Sequence, residues 1–163
     1  MTEICLRLAT EPDIDFILIQ EYREDFRNYI GRFTRPEHLF NLKDPDQSYL
    51  MVEQNSRKPL GYIILNDLTS EHHGILLKRI VIAEPNKGYG KKALQQLMKK
   101  VFEEYNAHRF WLDVFVKNQR ARSVYRSLGF REEGILRDTI KQENTYRSLV
   151  VMSLLQPEYQ ALN

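Results

Sequence analysis

Residues 76–93, LLKRIVIAEPNKGYGKKA, decide how the chain is to be read. An apolar run, Ile80-Val81-Ile82, passes into a short polar loop, then Gly88-Tyr89-Gly90, then a lysine-rich amphipathic stretch. A strand, a glycine loop and a helix in that order make a cradle for an anion. Glycines at 88 and 90 let the backbone approach a bulky group with no Cβ in the way. The first turn of the helix offers N–H groups that have no partner within the helix. Lys87, Lys91 and Lys92 crowd positive charge at a helix start, where the helix dipole disfavours it, and a bound anion would account for them.

Three nucleotide-type readings compete for this loop. A Walker loop needs a glycine, four spacers and then Gly-Lys-Ser/Thr, but here Lys91 precedes Lys92 and Pro85 stands where the first glycine belongs. A dinucleotide fingerprint fits Gly88-x-Gly90-x-x-Ala93, with Asp113 downstream as a ribose-binding acid. Against it, the fingerprint turns straight off its strand whereas Gly88 lies well past Ile82, and Val114, Phe115 and Val116 leave Asp113 in mid-strand. The third reading is a coenzyme A pyrophosphate loop.

The segment 118–130, NQRARSVYRSLGF, bears on that choice. Together with 76–93 it resembles the GNAT acetyltransferase superfamily, whose R/Q-x-x-G-x-G/A loop binds the pyrophosphate of acetyl-CoA and whose N-x-x-A-x-x-hydrophobic-Y-x-x-L/C-G-F helix lines the pantetheine arm. The chain departs from the pattern at Pro85, which occupies the R/Q position in a loop about two residues short. Proline removes one N–H donor, so the resemblance leaves the cradle to Asn86, Lys87, Gly88, Tyr89, Gly90 and Lys91. It further implies that the backbone of Ile80, Val81 and Ile82 pairs with the pantetheine arm, the Val81 to Ile82 amides polarising the acetyl carbonyl, and that Asn118, Ala121 and Tyr125 line the cofactor. Asn118 is equally a good helix N-cap. The fold implied is α/β, one GNAT-like domain over 1–163, with a central mixed, mostly antiparallel sheet flanked by helices.

Composition bounds the alternatives. A chain of 163 residues suits one well-cored domain, and 42% apolar with 28% charged residues describes an ordinary globule. No basic block argues for nucleic acid, and no apolar run reaches the ~20 residues of a membrane span. With no signal sequence read at the N-terminus and Cys5 as the lone cysteine, the expectation is a cytoplasmic protein without nucleic-acid or membrane partners, and Cys5 is expected as a buried thiol in a strand. The histidines, His38, His72, His73 and His108, show no ligand-like spacing, so no metal is expected, and His72-His73 reads as a turn.

Along the chain, residues 3–9 alternate as a strand, and Thr10-Glu11-Pro12-Asp13 starts a helix expected to reach about Arg27, with Ile14, Ile17, Leu18 and Phe26 inward. Its acids, Glu11, Asp13, Asp15, Glu21, Glu24 and Asp25, read either as a solvated face or as an attraction for a cationic substrate. Segment 28–47 breaks at Gly31, Pro36 and Pro45 and is expected as a loop with one short helix near 36–42. Tyr29, Arg32, Phe33 and Arg35 are its candidate substrate contacts. A hairpin (48–54 and 61–68), a helix from about 90 to 105, a strand over 110–116 buried on both faces, and a closing hairpin (130–140 and 145–155) complete the reading.

The resemblance implies acetyl-CoA as co-substrate and a primary amine as acceptor. GILRD (134–138) and VVMSLL (150–155) look most like the branch acting on ribosomal-protein N-termini, with polyamine acetyltransferases close behind. A peptide or protein N-terminus is thus the first expectation and a polyamine or other small amine the alternative. A non-catalytic acyl-CoA sensor is the reading from another class. Tyr125 is the expected proton donor to the leaving thiolate. Asp113 is the candidate base, with Glu84 or a water as rivals. A monomer or homodimer is expected, the latter through edge strands of the closing hairpin.

Overall fold

The computed structural model describes residues 3–163. Seven strands form one sheet: β1 (Ile4–Leu8), β2 (Ser48–Gln54), β3 (Pro59–Asn66), β4 (Gly74–Ile82), β5 (Arg109–Phe115), β6 (Arg131–Gln142) and β7 (Thr145–Leu155). Their order is β1-β2-β3-β4-β5-β7-β6, and every neighbouring pair is antiparallel except β4–β5. The helices are α1 (Ile14–Glu21), α2 (Arg35–Leu42), α3 (Tyr89–Lys99), α4 (Gln119–Ser127) and α5 (Gln156–Ala161). This is the mixed, mostly antiparallel α/β sheet expected from the sequence. It excludes the dinucleotide reading, which needs a doubly wound parallel sheet.

Apolar alternation divides the interior into two cores, one on each face of the sheet. Leu50, Ile63, Leu97, Phe110 and Met152 belong to the core beneath α3 and α4, while Ile14, Ile17, Tyr49, Met51 and Tyr62 belong to the core beneath α1 and α2. A bulge in β4 links them. Ile64 pairs with Arg79 and Leu65 with Leu77, leaving Lys78 as an extra residue. That insertion inverts the alternation. Ile75 and Leu77 pack under α3, whereas Val81 packs in the α1/α2 core and Arg79 bonds to Glu21 at the end of α1.

Four expectations are corrected. The first helix ends at Glu21 rather than near Arg27, and a short 3-10 turn, Glu24–Phe26, follows. The chain leaves the helix there because Arg23 donates to the Ala83 carbonyl at 2.7 Å and pairs with Asp25 at 2.6 Å, drawing it toward the end of β4. The acids do not form one solvated face, since Glu21 is fully buried and Asp13, Asp15 and Asp25 pair with Arg7, Arg35 and Arg23. Cys5 is exposed, because β1 turns Ile4 inward and its neighbour outward. Strand β5 buries only Phe110, Leu112 and Val114, and Asp113 on its other face is exposed. Among the described residues no helix is long and apolar enough to cross a membrane.

Gly61 carries a packing constraint against β4, where it pairs with Ile82. A Cβ there would stand 2.2 Å from the Val81 carbonyl oxygen, a backbone atom that cannot step aside. Gly61→Ala is therefore expected to cost about 1–3 kcal/mol or more, read as a lower urea midpoint at unchanged slope.

Candidate active site

The parallel pairing of β4 with β5 covers only Gly74–Leu76 against Arg109–Trp111. Both strands run on, to Ile82 and Phe115, without pairing to each other, and the sheet opens between them. A cleft of about 1100 Å³ passes through the opening. Ala83 donates its N–H to Leu60 of β3 at 2.8 Å. Because amides alternate sides along a strand, those of Ile82 and Ile80 point away from β3 into the gap, while that of Val81 points to β3. Of the two amides expected to polarise a carbonyl, Ile82 thus has the one free to do so.

The glycine loop closes one end of the cleft. Asn86 (φ 67°) and Gly88 (φ 76°) both take left-handed backbone, a curl that turns successive N–H groups inward as an anion nest. Helix α3 begins at Tyr89, whose ring is buried and whose hydroxyl accepts from Gln54 Nε2 at 3.3 Å, so the loop is anchored to β2. Lys87 pairs with Glu84, which also accepts from Lys58 Nζ at 2.9 Å. Lys87 and Lys58 together hold the Glu84 carboxyl at about 2, which makes it a fixed anion and a poor base. The charge of Lys87 is in part already answered within the chain.

Helix α4 forms the second wall. Asn118 caps it, Oδ1 accepting from the Ala121 N–H at 3.2 Å, and Gly129 (φ 98°) ends it. Asn118, Ala121 and Tyr125 all line the cleft, as do the residues of the glycine loop, Ile80, Val81 and Ile82. Tyr125 is 8% exposed, and its hydroxyl has no hydrogen-bond partner among the described residues. The ring is buried, but the hydroxyl oxygen is not sealed in the core and opens on the cleft. Burial pushes its pKa upward, so it remains protonated through the neutral range.

Asp113 reaches the same cleft from the other side of the sheet. Phe110, Leu112 and Val114 face the α3/α4 core, where Tyr125 also sits, so Asp113 points toward the α1/α2 face. It has no hydrogen bond or salt bridge among the described residues. Although open to the cleft, it is crowded by the surrounding walls. That partial desolvation raises its pKa, offset in part by the charge of Lys78. Donor and base candidates therefore stand on opposite faces with the gap between them.

Of the loop residues singled out in the sequence, only Tyr29 lines the cleft. Arg32 stacks on Tyr22 at 4.9 Å, Phe33 lies under the Arg79 guanidinium at 4.7 Å, and Arg35 pairs with Asp15 at 2.5 Å. Sequence reasoning missed the buried cluster behind this loop. Glu21 accepts from His38 Nε2 at 2.9 Å, from the Tyr62 hydroxyl at 2.9 Å, from the Phe33 N–H at 3.1 Å and from Arg79. Burial alone would push the Glu21 carboxyl up, but the His38 hydrogen bond and the Arg79 charge outweigh it and hold it low. One signal in the sequence pointed here, an arginine, Arg79, inside an apolar strand.

Residues 16–130 match the Acetyltransferase (GNAT) family. The spermidine N(1)-acetyltransferase of Vibrio cholerae is 24% identical over 97% of this chain and 96% of its own length. An N-alpha-acetyltransferase of Sulfurisphaera tokodaii is 44% identical over 83% and 84%. The crystal structure of the Vibrio cholerae spermidine N-acetyltransferase in complex with CoA and spermine superposes with a TM-score of 0.87 at 25% identity, covering 98% of both chains. The family match and these relatives show that the chain belongs to the GNAT family and is an acetyl-CoA-dependent N-acetyltransferase.

Proposed function

We propose that the protein acetylates a primary amine of a polyamine, with Tyr125 and Asp113 as its catalytic residues. The observation that carries the reading is Asp113, an unpaired carboxylate open to the cleft on the face opposite Tyr125. The full-length likeness to spermidine acetyltransferases supports it, in preference to the N-terminal acceptor first expected. Coenzyme A would lie along β4 with its pyrophosphate in the loop 86–91 and its thioester in the gap. The amine nitrogen attacks the acetyl carbonyl as the carbon–sulfur bond breaks. Asp113 takes the amine proton, directly or through a water, and Tyr125 donates a proton to the departing thiolate. The Ile82 amide, which points into the gap, would receive the carbonyl oxygen.

Deprotonation decides how much the base matters. At pH 7 an alkylamine near pKa ~10.4 costs about 4.6 kcal/mol to neutralise, against about 1 kcal/mol for an α-amine near ~7.8. A peptide N-terminus remains the second reading, favoured by the Sulfurisphaera relative and by Arg27, Lys78 and Lys141 at the cleft, which suit a peptide better than a polycation.

Coenzyme A release should be measured with spermidine, spermine and N-terminal peptides. Rapid release with the polyamines alone supports the proposal, and release with peptides alone overturns it. Tyr125→Phe is expected to lower kcat by about 10²-fold or more, and Asp113→Asn to impair polyamine turnover by a similar factor and peptide turnover less. Because the Asp113 carboxyl is raised, kcat/KM should fall with acidification at a pH above the usual carboxylate range, and that limb should vanish in Asp113→Asn. Coenzyme A at about 100 times its Kd should stabilise the fold by about 2.7 kcal/mol, read as a rise in Tm that NAD does not give.

A further inference from the structure

Behind the α1/α2 side of the cleft lies an ion pair for which the acetyl transfer itself has no use. Glu21, with no exposure, ends α1, where the helix dipole opposes an anion. Its donors come from four separate places: His38 of α2, Tyr62 of β3, Arg79 of β4 and the Phe33 N–H of the loop between α1 and α2. A buried ion pair is seldom a gain in stability over apolar packing, so its worth is better sought in what it holds still. The loop rests on it. Phe33 stacks under the guanidinium, Arg32 Nε donates to the Glu21 carbonyl at 3.0 Å, and a Cβ on Gly31 would stand 2.9 Å from Arg79 Nη2. Gly31 and Arg79 are also cleft wall.

We propose that Glu21 and Arg79 are the positioning residues of the acceptor site. Their ion pair seats the Gly31–Thr34 loop against β4 beside the bulge at Lys78, and so fixes the distance from the acceptor wall to Asp113 without touching the coenzyme. This rests on the reading that the amine enters on the α1/α2 face. Among the described residues, His38, Tyr49 and Tyr62 bind the same carboxylate directly or through one another, and the Arg32 guanidinium meets the Glu21 backbone carbonyl.

Two variants test it. Gly31 does not use left-handed backbone, so Gly31→Ala pushes on the flexible end of Arg79 with no backbone strain. Glu21→Gln with Arg79→Met removes both charges and leaves no lone buried ion. Each is expected to raise the acceptor KM about tenfold while the acetyl-CoA KM stays within about twofold. In the double variant, the Phe33 amide, which donates to Glu21, should exchange at least about tenfold faster while those of the central strands do not. Both variants folding with acceptor KM and loop exchange as in the parent would overturn the proposal. So would parallel rises in both KM values with a general loss of protection, the mark of a plain stability element. If the parent turns over no amine, the failure is that of the proposed function, and loop exchange in the double variant alone decides the positioning role.

Discussion

The parting of β4 from β5 is the constraint on which the rest depends. Three residue pairs hold the two strands parallel, after which the ladder stops and unpaired backbone faces a gap. Buried backbone N–H groups demand partners. Two strands that diverge inside a sheet therefore signal that something extended completes them. The glycine loop closes one end of the opening, α4 walls one face and the loop before α2 walls the other. Each of these elements is positioned by the two strands.

The bulge at Lys78 turns that opening into a two-sided site. Without it, Arg79 would follow Ile75 and Leu77 into the α3/α4 core, where no carboxylate awaits it. With it, Arg79 meets Glu21, and the loop between α1 and α2 gains a fixed foundation. Desolvation pushes the Glu21 carboxyl up, the His38 hydrogen bond and the Arg79 charge hold it low, and removal of one partner would strand the other at a cost of about 3–5 kcal/mol.

Much of this was legible in the sequence, for identifiable reasons. The strand, loop and helix over 76–93, the cap at Asn118 and the stop at Gly129 are local signals, each set by a few adjacent residues, and they carried both the fold and these walls of the cleft. Contacts between distant segments were not legible. Glu21 read as one more acid on an exposed helix face, because nothing near it in sequence shows that His38, Tyr62 and Arg79 converge on it. Arg32, Phe33 and Arg35 fell in the right loop, but whether a loop residue faces a cleft or its own scaffold depends on backbone turns that composition does not encode. Cys5 was misplaced because strand alternation gives two phases, and one residue of shift exchanges inside for outside.

The placement of Tyr125 and Asp113 on opposite faces makes the sheet a partition with an aperture between β4 and β5. On the proposed reading, a coenzyme threaded along one side would leave the other side open, so that either substrate could arrive first and neither product would have to leave before the other. Such an arrangement favours a ternary complex over any relay through an acetylated side chain, and traffic on the two sides can be tuned independently. Natural variation in the wall before α2 could then change which amine is chosen while the coenzyme's half of the machine stays as it is.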